Sequence, residues 1–262
     1  MAMTTAEAAA AAPQPKEVKL YGAWGSAHAA MAQNALELKG VRYEYVEEDL
    51  ERKSETLLLR LNPAHAGKVP VLVVGDGGGG RPLAESLVIL EYVDEVWPQA
   101  PRLMPSSPRS RAAARFWARF FHGDVSPLSR AAVLAPTPEE RAEAVREMKA
   151  RMAVMEAGFE RDFRSVVGAG DEGGGGPFVH GATPGLLDVI LGSCAAGTRA
   201  ISAMAGEEVV EPDTLPRVHA SMAAFDELVA GFGTSVPHEL LLARLLEREE
   251  RRRAAASASV SA

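Results

Sequence analysis

The feature that most constrains the fold is a change of period around residues 98–108, PQAPRLMPSSP, a segment with four prolines. Ahead of it, short alternating runs are separated by short helical ones. EVKLYG reads as a strand, and Ser26 to Leu38 reads as a helix with Ala30, Met31, Ala35, Leu36 and Leu38 on one side, stopped by Lys39-Gly40. VRYEYVEEDL alternates at period two, with Val41, Tyr43 and Tyr45 on one face. SETLLLRLNP is a short helix that ends before Pro63, and VPVLVV is a buried strand. GDGGGGRPL is a hairpin turn enlarged by glycines, and SLVILEYVDEVWP is a helix closed by Pro98. The order is βαβ, a helix, a ββ hairpin and a final helix.

After residue 109 the strand period is lost. Helical patterns run through RSRAAARFWARFFHGD, TPEERAEAVREMKARMAVMEAGFERDF, PGLLDVILGSCAAGTRAIS, LPRVHASMAAFDELVAG and PHELLLARLLEREERRR, with DEGGGG as a loop. The expected organisation is therefore a disordered Ala/Pro tail at 1–16, an α/β domain at 17–97, and a linker at 98–108. An all-helical domain follows at 109–250, and a Ser/Ala tail at 251–262.

Composition narrows the function classes. A net charge of -7 argues against nucleic acid or an anionic membrane as partner. No apolar stretch reads as long enough to span a bilayer, and the N-terminus has neither the basic region nor the apolar core of a signal peptide. The single cysteine, Cys194, allows no disulfide framework, fits a reducing compartment, and reads as a small core residue. The six histidines lack metal-ligand spacing, so no metal is expected.

Three short stretches carry chemistry. Ser26, in GAWGSAH, stands where a helix N-cap belongs. The same position offers a positive dipole end, and a hydroxyl there can donate to a thiolate and lower the thiol's pKa. The string WGSAH lacks the GxSxG elbow of a serine nucleophile. Val69-Pro70, just before a strand, is a candidate cis bond that would present the Val69 backbone to an extended peptide. Glu85-Ser86 opens a helix, where Ser86 suits a carboxylate and Glu85 an ammonium. Lys53 and Lys68 would suit the carboxylates of a small acidic ligand beside such a site. Asp188, three residues after Gly185, reads as half of a capping box and therefore as structural. Phe116, Trp117, Phe120 and Phe121 crowd one helix; that pattern favours core, with one or two of them lining an apolar interdomain cleft.

These residues carry a resemblance. VKLYGAWGSAH, LELKGVRYEYVEEDLERKSETLLLRLNP, KVPVLVV, LAESLVILEYVDEVWP, RAAARFWARF and GLLDVILGS together resemble the plant tau-class glutathione S-transferases, from about residue 17 to about 235. AESLVILEYVDEVWP combined with KVPVL is the specific part. The resemblance implies a thioredoxin-like N-terminal domain followed by an all-helical domain, and a cytosolic homodimer. It implies that glutathione is a co-substrate rather than a permanent cofactor. Ser26 would hydrogen-bond its sulfur, Lys53 and Lys68 would face its glycyl carboxylate, Val69 would pair with its cysteinyl backbone, and Glu85 and Ser86 would hold its γ-glutamyl end. Pro70 would be structural, and His28, Trp117 and Phe121 would line the acceptor pocket.

The chain departs from the family pattern. Ser26-Ala27-His28 replaces the usual Ser-Pro-Phe, Ala30 and Met31 replace basic residues, and Arg109 stands where an aromatic is common. Residues are inserted around Ala66-Gly67. The glutathione half is retained and the acceptor half altered. Ser26 also separates the chain from relatives that form mixed disulfides through a cysteine at that position. The expected function is conjugation of the glutathione thiolate to an apolar electrophile. The alternatives are a weakly catalytic ligand-binding protein, which His28 motivates, and a glutathione-dependent peroxidase.

Overall fold

A computed structural model of the protein describes residues 17–75, 80–99, 101–163 and 175–260. The expected N-terminal tail, most of the glycine run at 77–80 and most of the loop at 171–176 fall outside these residues.

The first domain is built on four strands: β1 (Glu17–Gly22), β2 (Glu44–Glu47), β3 (Val71–Gly75) and β4 (Arg81–Ala84). Their order in the sheet is β2-β1-β3-β4, with β1/β2 parallel and the other two pairings antiparallel. Pro82 is accommodated because β4 is an edge strand, where a missing N–H costs no ladder bond. Along β1 the buried positions are Val18, Leu20 and Gly22, the period-two signature read from EVKLYG. The expected strand VRYEYV is shorter than its alternation suggests: Val41 and Tyr43 precede β2, and the Tyr43 hydroxyl instead donates to Glu37 at 2.6 Å.

Helices α1 (Ala27–Leu38) and α2 (Ser86–Val96) pack on each other and on the sheet. Met31, Ala35, Leu36, Ile89, Leu90 and Val93 are fully buried there. The expected helix in SETLLLRLNP is a wide π-type turn at Leu57–Leu61 followed by a 3-10 turn at Pro63–His65. Its end is set as expected by the proline, which cannot donate to a continuing helix.

The linker is held by a buried ion pair absent from the sequence reading. Lys39 Nζ lies 2.7 Å from Asp94 Oδ1, and Asp94 also accepts from the N–H groups of Leu103 and Met104 at 2.7 and 3.0 Å. Both carboxylate oxygens thus find donors, which is what makes an ion pair tolerable away from water.

The second domain comprises α3 (Pro108–Phe120), α4 (Ser126–Leu134), α5 (Pro138–Asp162), α6 (Leu186–Ser193), α7 (Ala195–Ala205), α8 (Pro216–Ala230) and α9 (His238–Val260). A π-type turn, Phe121–Val125, joins α3 to α4 almost without a break. Thr137 and Ser107 cap their helices by accepting from Glu140 and Ser110 N–H groups. Two expectations need correction here. Leu186–Ala205 is long and apolar enough, by length and composition, to cross a membrane, with a mean hydropathy of 1.3, but 67% of it is buried inside the protein. It is the core of the helical domain, where Leu186, Leu187, Val189, Ile190 and Leu191 are almost wholly enclosed. The expected tail from residue 251 is instead helical through Val260. Arg252 anchors it, donating to the carbonyls of Leu134 and Val133 at 3.0 and 3.1 Å.

Asp188 plays the structural part read for it. Its fully buried carboxylate accepts from Gly185 N–H at 2.9 Å, the half of a capping box that a glycine N-cap allows. It also accepts from Val179 N–H at 2.7 Å and the Ser221 hydroxyl at 2.6 Å, joining the approach to α6 with α8.

Candidate active site

Strand register gathers the functional loops. Tyr21 pairs with Val71, and Val71 pairs with Ala84, so the exit of β1, the entry of β3 and the exit of β4 lie at one end of the sheet. Ser26 follows the first, Val69-Pro70 precedes the second, and Glu85-Ser86 follows the third. The parallel pair Gly22 and Glu47 brings the exit of β2, and with it the loop carrying Lys53, to the same end.

Ser26 is the N-cap of α1, with its Oγ accepting from Ala29 N–H at 3.3 Å. One lone pair serves the cap and the hydroxyl proton remains to be offered outward. Gly25, at a φ of 79°, makes the turn that delivers the serine; a side chain there would be strained and would crowd Leu241 of α9. Trp24 N–H is fixed by Glu47 Oε1 at 2.7 Å, and the Trp24 ring lies under the Arg244 guanidinium of α9 at 4.0 Å.

The Val69–Pro70 peptide is cis, as its place before a strand suggests. Glu85 occupies the left-handed region at a φ of 75°, unusual for a side chain with a Cβ and a mark of functional sites. Its carboxylate pairs with His65 at 2.8 Å. Ser86 begins α2, and that helix has no side-chain cap, so its first-turn N–H groups face the same end of the sheet. Lys53 Nζ donates to the carbonyl of Ala66 at 2.8 Å, which ties the loop after β2 to the inserted Ala66-Gly67 corner, and Lys68 is exposed just beyond it.

The expected acceptor residues divide. His28 stays with the site: burial lowers its pKa below the ordinary histidine range, Glu85 opposing and Lys68 reinforcing the effect. Trp117 does not line a cleft. It is 3% exposed, donates from Nε1 to Asp162 at 2.9 Å, and packs edge-on to Phe159. A Cβ at Gly158 would overlap the Trp117 ring, so α3 and α5 approach closely around it. Phe121 is also enclosed in the core, at 3% exposure. Both aromatics follow the reading that favoured core. A cavity of about 370 Å³ does open between the domains, but Ala30, Asn34, Ser193, Arg199 and the loop before α9 line it, and none of the three expected residues does.

The residue that spacing missed is His122, on the turn after α3. Its ring meets His28 edge-on with centroids 5.1 Å apart, and its Nε2 lies 3.1 Å from the Ser86 hydroxyl. Burial, helped by the neighbouring His28, pushes its pKa down to about 4, so it is neutral at pH 7. A histidine 36 positions from its partner, on another domain, leaves no periodic trace in a sequence. Desolvation pushes the Cys194 thiol up to about 12, so it stays protonated at neutral pH.

Residues 16–95 match the family described as the N-terminal domain of glutathione S-transferase. The chain is 34% identical to "Glutathione S-transferase U10" of Arabidopsis thaliana, over 86% of this chain and 90% of that one. It is 39% identical to "Probable glutathione S-transferase GSTU6" of Oryza sativa subsp. japonica, over 80% of this chain and 83% of that one. Among solved structures it is similar to the tau-class glutathione S-transferase of mango, Mangifera indica, with a TM-score of 0.75 and 31% identity over 88% and 99% of the two chains. It is also similar to rice GST1 (OsGSTU1) in complex with glutathione, with a TM-score of 0.73 and 29% identity over 91% and 99%.

Proposed function

The chain belongs to the tau class of glutathione S-transferases, and from that premise we propose that Ser26 stabilises the glutathione thiolate, the thiol proton passing to solvent, for attack on an apolar electrophile. Its activity is transfer of glutathione. The observation that carries the role of Ser26 is its hydroxyl at the N-terminus of α1, using one lone pair for the cap and keeping its proton to donate. A hydrogen bond to sulfur and the dipole end both favour the thiolate. A thiol of pKa ~8.5 is about 3% ionised at pH 7, whereas one of ~6.5 is about three-quarters ionised.

In this reading glutathione lies along the sheet end. Its cysteinyl backbone pairs with Val69, its γ-glutamyl group meets Glu85 and the first turn of α2, and its glycyl carboxylate faces Lys53 and Lys68. The sulfur forms a bond to the electrophilic carbon, and a leaving group departs or, in an addition, a proton is taken up. The neutral imidazole of His28 borders the acceptor. No resident cofactor enters the reaction.

The deciding measurement is the pKa of bound glutathione, by thiolate absorbance against pH, in the wild type and in Ser26→Ala. A lowered value that returns toward that of free glutathione in the variant supports the reading. Equal values would make Ser26 a cap alone. The cover that α9 places over Trp24 and Gly25 would then favour sequestration of an apolar ligand over its conjugation.

A cytosolic homodimer completes the proposal. Support comes from Val88 and Phe116, exposed at 50% and 56% on adjoining helices that the Glu91–Arg115 pair links at 2.7 Å. Exposed apolar groups of this size mark a surface that gains from a partner. The solution mass of the wild type and of Phe116→Asp tests it, with a dimer shifting toward monomer expected.

A further inference from the structure

His28 and His122 form a pair whose ring nitrogens are used unequally. Both nitrogens of His122 are engaged, Nδ1 at 3.2 Å from the Ala118 carbonyl and Nε2 at 3.1 Å from the Ser86 hydroxyl. That ring is therefore fixed, and it supports the His28 ring edge-on at 5.1 Å. Neither ring nitrogen of His28 has a hydrogen-bond partner among the described residues, and packing seals off neither of them. Burial keeps the His28 ring neutral at pH 7, with Glu85, itself paired with His65, opposing the effect and Lys68 reinforcing it. A neutral imidazole carries one N–H and one lone pair. His28 is thus an uncharged, half-buried donor held in place with no protein group to serve. It stands on the first turn of α1, two residues after Ser26. Side chains at that spacing diverge on a helix, so the ring does not reach the sulfur that Ser26 holds. What it reaches is a group of the acceptor set apart from the carbon under attack.

We infer that His28 is a catalytic hydrogen-bond donor to the acceptor, and that the acceptors it selects are α,β-unsaturated carbonyl compounds. In such an acceptor the carbonyl oxygen stands apart from the β-carbon, as the divergence of Ser26 and His28 requires. The thiolate forms its bond to the β-carbon, and the electrons of the carbon–carbon double bond move toward the carbonyl. The oxygen becomes an enolate and accepts a hydrogen bond from the His28 N–H, while the ring keeps its proton. The α-carbon then takes a proton from solvent, which balances the one the thiol released, and nothing leaves. The hydrogen bond strengthens as charge grows on the oxygen, so it favours the transition state over the bound ground state. A substitution that expels halide from a saturated carbon builds no charge on such an oxygen and gains nothing from the imidazole. Phenylalanine, the usual residue of the family at this position, has no N–H to offer.

The inference rests on the proposed conjugation, and the test separates the two. At saturating glutathione, kcat/KM is measured for 4-phenylbut-3-en-2-one, an enone, and for benzyl chloride, an alkyl halide of similar bulk. The proteins are the wild type, His28→Phe and His28→Gln. The ratio of the enone value to the halide value is expected to fall at least roughly tenfold in His28→Phe. His28→Gln, whose amide can donate, should recover part of that loss. An equal ratio in the wild type and His28→Phe overturns the inference, because a merely structural histidine would change both reactions together. Wild-type turnover of benzyl chloride with no acceleration of the enone overturns it as well. Absence of turnover with both compounds would instead overturn the proposed function. Should His28→Phe not fold, the wild type decides by nuclear magnetic resonance with 4-phenylbutan-2-one, the unreactive saturated ketone. The ring N–H signal of His28 is expected to move downfield as the ketone binds in the presence of glutathione, and an unmoved signal refutes the assignment.

Discussion

The guanidinium of Arg244, in the last helix of the chain, lies 4.0 Å above the ring of Trp24, two residues before the serine that caps α1. The helical domain thereby touches the loop that delivers the hydroxyl. A stacked guanidinium is held both by the ring's quadrupole and by the area it covers, together about 0.5–2 kcal/mol. Trp97 and Trp117 are each 3% exposed, so Trp24 is the tryptophan that solvent quenchers can reach among these three. Arg244→Ala is expected to increase acrylamide quenching of tryptophan emission and to raise KM for the electrophile more than KM for glutathione. Unchanged quenching would mean that the stack is absent in solution.

Ser26 serves two ends that substitution can separate. Asn accepts at an N-cap about as well as Ser, so Ser26→Asn should keep stability within a few tenths of a kcal/mol, whereas Ser26→Ala should lose about 1 kcal/mol. Thr keeps the hydroxyl, and Ser26→Thr should retain more kcat than either. Urea unfolding and steady-state rates on the three variants check the pattern. Equal rates in Ser26→Thr and Ser26→Ala would deny the hydroxyl a chemical role.

His122 makes stability depend on pH. Its folded-state pKa is about 4, below the ~6.5 of an unfolded histidine, so between these values the unfolded chain holds the extra proton and stability falls as pH falls. Its contribution to the loss between pH 7 and pH 5 is about 2 kcal/mol by linkage. Denaturation midpoints at both pH values should therefore differ more in the wild type than in His122→Phe. A difference of the same size in both would place the titration elsewhere.

Asp188 concentrates three donors on one buried carboxylate. Asp188→Ala strands the N–H groups of Gly185 and Val179 and the Ser221 hydroxyl away from water, at a cost of about 3–5 kcal/mol. Because α6 packs against α1, the loss should also lower affinity for glutathione in the fraction that stays folded. Thermal unfolding with and without glutathione measures both effects, and a shift in midpoint of under a degree or two would contradict this account.

The sequence by itself determined the two-part architecture, the element order to within a few residues, and the local devices. Ser26 as a cap, the cis bond at Pro70 and the Gly185–Asp188 box all depend on neighbours within a turn or so, and short-range geometry follows from short-range order. Which loops share one end of the sheet was decided by the strand order β2-β1-β3-β4 and its register, which alternation alone does not specify. The tertiary structure alone decided contacts between residues far apart in the chain. It buried Trp117 against Gly158, because the room for an indole depends on how closely α3 and α5 approach. It set Lys39 against Asp94, extended α9 past Arg252 by giving that side chain two carbonyls, and brought His122 to Ser86 across the domain boundary. No period links such pairs; packing brings them together.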